Sequence, residues 1–152
     1  MAIEIRPAKP SEIDILLSFE KGIIQFERPF DSCLKEGEIH YYDLIELIKS
    51  DNSLVVVAEY DGVIVGSGYA KIVKAEDYLK FEMYAHFGFM YVKKEYRGQG
   101  INKIILENLM IWAKNKDIGE IRLEVYDENE IAKKAYVKAG FKPNMLEMRM
   151  SI

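Results

Sequence analysis

Tyr91-Val92-Lys93-Lys94-Glu95-Tyr96-Arg97-Gly98-Gln99-Gly100-Ile101-Asn102 is the stretch whose reading decides the fold. The run Ala85 to Val92 is almost wholly apolar, as expected of a central strand. Ile101, Ile104, Ile105, Leu109 and Trp112 fall on one helical stripe, which predicts a helix over Gly100 to Asn115. Between strand and helix lies a basic loop with two glycines. Glycine lets backbone N–H groups approach a ligand closely. The first turn of a helix offers unpaired N–H groups and a positive dipole end. Together these make an anion site suited to a pyrophosphate. Lys93, Lys94, Arg97 and Lys103 add positive charge. The plainer alternative is a tight strand-to-helix turn with a solvated basic face.

Two nucleotide motifs do not fit the loop. A Walker loop needs Gly-x-x-x-x-Gly-Lys-Ser/Thr, which is absent. A Rossmann fingerprint needs a third glycine where Lys103 stands, and it opens a first βα turn. Here two antiparallel strands come first. Ser53 to Tyr60 is an apolar, β-branched strand, and Asp61-Gly62 is a hairpin signal leading into Val63 to Val73. Gly66 and Gly68 inside that second strand predict a bulge or a close backbone approach.

Further outward, Ile3 to Ile5 reads as a short strand ending at Pro7. Ser11 reads as the cap of a helix with Ile13, Leu16, Leu17 and Phe19 or Glu20 on its stripe, broken at Glu27 to Asp31. Helical spacing resumes over Ile39 to Lys49. Past the central helix, Ile121 to Tyr126 alternates as a strand. Asp127 with Glu130 resembles a capping box for a helix that Gly140 ends, and Met145 to Met150 is a last strand. The order β-α-α-β-β-β-α-β-α-β predicts an α/β (α+β) domain spanning 1–152: a single central mixed sheet, largely antiparallel, with helices on both faces.

Composition sets the class. The 152 residues are 49% hydrophobic and 30% charged, values of an ordinary globular chain. No apolar run is long enough for a bilayer, and the N-terminus carries acid where a signal peptide needs an apolar core, so no membrane association and a cytoplasmic location are expected. One cysteine, Cys33, and two histidines, His40 and His86, give no zinc spacing; no metal is expected. The net charge of -4 does not suggest nucleic-acid binding. Its distribution is uneven: residues 1–88 hold 9 basic and 16 acidic side chains, residues 89–152 hold 12 and 9. That asymmetry is either scatter, or an anionic ligand on the C-terminal half and a cationic one facing the N-terminal half.

At this point the chain resembles a known family. Arg97-x-x-Gly100-x-Asn102 is similar to the acyl-CoA pyrophosphate loop, Gln/Arg-x-x-Gly-x-Gly/Ala, of the GNAT N-acetyltransferase superfamily. Met90-Tyr91-Val92 resembles that family's pantetheine-binding strand, and Asn129-x-x-Ala132-x-x-x-Tyr136-x-x-x-Gly140-Phe141 its second signature. The element order matches from Ile3 to Met150. Asn102 departs from the expected Gly or Ala at the point where helix meets phosphate. The resemblance implies acetyl-CoA as acyl donor and direct transfer to an amine acceptor, a small molecule or a protein N-terminus or lysine. It implies backbone N–H groups across Gly98, Gln99, Gly100, Ile101 and Asn102, with Arg97, on the pyrophosphate. Met90 and Val92, flanking Tyr91, would pair with pantetheine, and the Met90 N–H would polarise the thioester carbonyl. Asn129 would bond the cofactor arm, and Tyr136 would protonate the departing thiolate.

The chemistry fits these roles. An amine of pKa ~10.4 costs roughly 4.6 kcal/mol to deprotonate at pH 7, so a base is useful. An oxyanion needs donors, which backbone N–H groups on a splayed strand supply. Tyrosine is protonated at pH 7 and can donate. Tyr136 also lies on the stripe Ala132, Ala135, Tyr136, Ala139, where a core role is the alternative, and Asn129 is equally a helix cap. His86 and Glu82 are the base candidates; a bulge near Gly88 would change their side-chain parity relative to Met90. Glu27, Tyr41 and Tyr42 fall in the region that forms the acceptor pocket in this family, with ordinary surface and core roles as the alternative. An acyl-CoA sensor or interaction domain without turnover, and a homodimer, stay open.

Overall fold

The computed structural model describes residues 2–152. In chain order its elements are β1 (Ile3–Pro7), α1 (Ile13–Glu27), α2 (Leu44–Lys49), β2 (Ser53–Tyr60), β3 (Val63–Lys74), β4 (Met83–Val92), α3 (Ile101–Asn115), β5 (Ile121–Leu123) and α4 (Glu130–Lys138). The strands form one sheet in the order β1-β2-β3-β4-β5. The first three pairings are antiparallel and β4 with β5 is parallel. The expected mixed, largely antiparallel sheet is therefore present.

Both faces are covered, and this explains the uninterrupted apolar run in β2. Val56 and Ala58 face α3, packing with Phe87, Ile101, Ile105, Leu109 and Ala113. Val55 and Val57 face α1 and α2, packing with Leu16, Phe19, Leu44 and Phe89. Truncating a fully buried phenylalanine such as Phe87 would cost about 3–5 kcal/mol. Gly68 is where α3 comes closest: a Cβ there would stand 2.7 Å from Ile105 Cγ2 and 3.0 Å from Met90 Sδ. The close approach expected at the β3 glycines is thus real. No helix is long and apolar enough to cross a membrane among the described residues.

Besides the length of β5, four local expectations change. Ser11 lies in a short 3₁₀ turn, Pro10–Glu12; Glu12 closes it by accepting the Lys9 N–H at 2.8 Å. The helix expected over Ile39 to Lys49 forms only as α2, capped by Asp43, because a buried carboxylate already satisfies the backbone before it: Glu20 Oε2 accepts the N–H groups of Tyr41 and Tyr42 at 2.9 and 3.0 Å. Asp127 does not cap α4; Asn129 does, while Asp127 pairs with Lys133 at 3.0 Å. The strand expected over Met145 to Met150 is absent: residues 141–152 carry no regular structure.

Candidate active site

The parallel pairing of β4 with β5 lasts three residues, from Ala85 opposite Ile121 to Phe87 opposite Leu123. Beyond it β4 continues to Val92 with β3 on one side and no strand on the other. The cause is a bulge in β4. Ser67 stands opposite Tyr91 but Tyr69 stands opposite Gly88, so β4 carries one extra residue there. Phe89 takes the strain with φ 57°, a left-handed value that a phenylalanine rarely adopts. Ser67 Oγ steadies the bulge by donating to the Phe89 carbonyl at 3.0 Å. The bulge raised as a possibility near Gly88 is present, and β5 ends short of the expected Tyr126 because its neighbour has bent away. Met90, Tyr91 and Val92 all line the freed edge.

The loop after β4 is held from behind. Arg97 Nε donates to the Val92 carbonyl at 2.8 Å and its guanidinium lies over the Tyr91 ring, which itself stacks on Phe19. Gly98 and Gly100 both have positive φ, 78° and 79°. A Cβ at either would meet nothing within 4 Å, so the glycines border open space. Gly100 begins α3 with no side-chain cap, and the first N–H groups of the helix, through Asn102, are left for another acceptor. This cradle fits a pyrophosphate.

On the α3 side, Tyr136 and Phe141 pack edge-on at the rim of the core, ring centroids 5.9 Å apart. Burial, then the charge of Glu27, pushes the Tyr136 hydroxyl up to about 12, so it is a protonated donor at neutral pH. Asn129 Oδ1 accepts the Ala132 N–H at 3.2 Å; this capping contact leaves its amide NH₂ able to donate.

On the α1 side stands a carboxylate among tyrosines. Burial raises Glu27 above the usual carboxylate range, with the Tyr41 hydroxyl acting the other way. Burial and the Glu27 charge together raise Tyr41. The Tyr41 hydroxyl is buried with no hydrogen-bond partner within 3.5 Å, an uncompensated donor beside that carboxylate. Tyr126 donates to Asp31 Oδ2 at 2.9 Å, and Arg149 donates to Asp31 Oδ1 at 2.8 Å. Glu27 lies on α1 and Tyr136 on α4, on opposite faces of the sheet, and the Glu27 charge adds less than burial to the rise of the Tyr136 hydroxyl.

The two base candidates lie elsewhere. Glu82 precedes β4 at its far end, exposed, eight residues from Met90, or about 26 Å along a strand. His86 sits in the paired part of β4, opposite Lys71 and Arg122, with the Tyr69 hydroxyl 3.3 Å from Nδ1. Its Nε2 is 3.4 Å from Glu124 but lacks hydrogen-bond geometry. Burial first, then the charge of Lys71, lowers its pKa, so the ring is neutral at pH 7. The opening brings together the loop, the Met90 edge and Tyr136; it does not include Glu82.

Sequence reasoning missed Asp31, Tyr126 and the anchoring role of Glu20. A signal for Glu20 was available in its place on an otherwise apolar helical stripe, and the structure buries it to 1% exposure. Its Oε1 lies 2.7 Å from His40 Nδ1, which raises the His40 pKa. The stabilisation from that pair is complete below the unfolded histidine value, about 6.5, and is lost as pH rises through the raised folded value. Melting temperature should therefore fall between pH 6 and 8.5 in the wild type more than in His40→Gln. An imidazole titrating below its unfolded value by NMR would refute the pairing.

The comparisons agree with this geometry. The acetyltransferase (GNAT) family matches residues 22–141. No match appears among curated proteins. Among solved structures, the chain resembles a predicted acetyltransferase from Clostridium acetobutylicum solved with acetyl-CoA, at 19% identity and TM-score 0.76, covering 99% of this chain and 96% of that one. It resembles a mutant of the Bacillus halodurans protein BH1408 at 17% identity and TM-score 0.87, covering 98% and 99%. It also resembles the aminoglycoside 6'-N-acetyltransferase AAC(6')-IG from Acinetobacter haemolyticus at 15% identity and TM-score 0.74, covering 98% and 97%. With a family match over most of its length, this chain belongs to the GNAT acetyltransferase family and is an acetyl-CoA-dependent N-acetyltransferase.

Proposed function

We propose that the acceptor is a small cationic primary amine, which enters from the α1 side and meets the donor in the opening between β4 and β5. The observation that carries this is the carboxylate of Glu27 at the end of α1, partly buried beside the unpartnered Tyr41 hydroxyl. Asp31 nearby is already paired with Arg149, so the attraction falls to Glu27 and to the N-terminal half, which is acidic as a whole. Aminoglycoside N-acetyltransferases stand among the structural neighbours, which supports an amine acceptor of this kind.

Acetyl-CoA supplies an activated thioester when bound. The chain's own residues then have separate tasks. The N–H groups from Gly98 to Asn102 hold the pyrophosphate by charge-assisted hydrogen bonds. The freed edge of β4 pairs with the pantetheine arm as an added strand, and the Asn129 amide donates to it. The Met90 N–H donates to the reacting carbonyl oxygen. Glu27 attracts the ammonium and, in its ionised form, accepts a proton as the amine attacks. Tyr136 donates its hydroxyl proton to the leaving sulfur.

Glu27→Gln keeps the shape and removes the charge. Its kcat/KM for the amine should fall roughly 10–100-fold, with the KM for acetyl-CoA unchanged. The loss should be largest at low pH within the range where wild-type Glu27 is still ionised, because neutral amine is scarcest there. Glu82→Gln and His86→Ala, measured over the same pH series, should run parallel to the wild type. A steeper low-pH loss in His86→Ala than in Glu27→Gln would move the base to His86.

A further inference from the structure

We propose, resting on the amine-acceptor reading above, that Asp31 receives a second cationic group of the acceptor, and that Arg149 of the chain's own C-terminal segment holds that place until the acceptor displaces it. Local chain geometry sets where Asp31 stands. Glu27 is the last residue of α1, Arg28–Phe30 continues as a 3₁₀ turn, and Asp31 follows. Four residues of helical rise separate Glu27 from Asp31 by about 6–8 Å along one axis. Tyr126, three residues past the end of β5, reaches Asp31 from the other wall. Its hydroxyl donates to Oδ2 at 2.9 Å, and its ring lies 5.9 Å from that of Phe30, centroid to centroid. Asp31 thus ties the end of α1 to the segment that leaves the opening between β4 and β5.

The carboxylate is built to hold a cation. Its side chain is 9% exposed, and a charge so placed needs a partner. Three donors reach it: the Tyr126 hydroxyl, the Cys33 N–H at 3.0 Å and the Arg149 guanidinium at 2.8 Å. The first two are neutral and belong to the walls of the site. The counter-charge comes from Arg149, which more than the other two holds the carboxyl below its usual range.

That counter-charge is loosely tethered. Arg149 is 53% exposed along its side chain, and its neighbours Leu146, Met148 and Met150 are at least 66% exposed. Residues 142–152 carry no regular structure, and among the described residues their hydrogen bond to the rest of the chain is the one from Arg149. Lifting Arg149 away therefore gives up little packing. An incoming ammonium or guanidinium restores the same charge-assisted bond. The guanidinium seated there is a template for the ligand: a dication with its reacting amine drawn to Glu27 and a second cation about 6–8 Å away on Asp31. The C-terminal segment is then an internal competitor, which raises KM for such an acceptor and leaves kcat alone.

NMR reads the site without turnover. The Cys33 N–H donates to the same oxygen as Arg149, so its amide signal reports what sits on Asp31. With CoA present and ionic strength matched, 4-aminobutylguanidine should shift that signal saturably, and pentylamine, with one cation, should bind at least about 10-fold more weakly. Arg149→Ala should bind the dication roughly 3–10-fold more tightly, because a competitor held at millimolar effective concentration is gone. Arg149→Lys should stay near the wild type. In steady-state kinetics Arg149→Ala should lower KM for the dication by the same factor with kcat unchanged. Asp31→Asn, checked for folding by its melting temperature, should raise the dication KM at least about 10-fold more than the pentylamine KM. A Cys33 signal indifferent to the dication, or equal dication affinity in wild type and Arg149→Ala, would overturn the proposal. A saturable shift with neither amine acetylated would keep the cation site and refute the acceptor reading instead. Acetylation of both amines with KM values indifferent to Asp31 and Arg149 would keep that reading and refute the subsite.

Discussion

Tyr136→Phe should lower kcat by roughly 10²–10⁴-fold while acetyl-CoA affinity stays near the wild-type value. That is about 3–5 kcal/mol of lost transition-state stabilisation. The ring would still pack edge-on against Phe141, and the hydroxyl makes no hydrogen bond within the described residues. Melting temperature should therefore change little. Tyr136→Ala should lose both the proton donor and the packing, and melt lower. Steady-state kinetics and thermal melts on the pair separate chemistry from structure. A Phe variant that turns over at the wild-type rate, with chemistry shown to be rate-limiting, would remove Tyr136 from the mechanism.

The second large effect belongs to Gly100. Gly100→Val should abolish CoA binding in calorimetry, a loss of at least about 100-fold, by straining the N–H cradle and filling the space it borders. A valine at φ 79° is strained wherever it sits, so a matched control is needed. Gly62 provides one: its φ is 77°, and a Cβ there also meets nothing within 4 Å. Gly62→Val should lower the melting temperature by a similar amount and leave CoA binding intact. If Gly100→Val binds CoA like the Gly62 control, the phosphate assignment of the loop is wrong. Asn102→Gly should shift affinity only modestly, since the backbone N–H remains.

The sequence made the strand, loop and helix start around Gly98 and Gly100 legible because local rules govern them. A strand-to-helix turn with Gly98 and Gly100 needs positive φ, and both glycines have it. The Asp61-Gly62 hairpin and the Gly140 helix end follow from the same rule. The acceptor side was less legible because it depends on contacts between distant positions. Asp31 meets Tyr126 and Arg149 across 95 and 118 residues, and no local pattern signals such a pair. The shortened α2 came from the same kind of contact, since helical spacing over Ile39 to Lys49 cannot reveal that Glu20 has taken the Tyr41 and Tyr42 N–H groups. Met145 to Met150 has genuine strand periodicity, but a strand also needs a paired neighbour, and here no strand pairs with it.

The grip of Glu20 has a consequence for how this pocket can change. Two of its three contacts are to main-chain N–H groups, which every residue except proline presents. The wall of the pocket is thus fastened by a device blind to side-chain identity. Tyr41 can be exchanged for any residue but proline without losing its bond to Glu20, whereas Tyr42 also packs edge-on against Tyr69 and Phe89. If the acceptor enters here as proposed, single substitutions at Tyr41 would change its specificity with the main-chain path inherited unchanged.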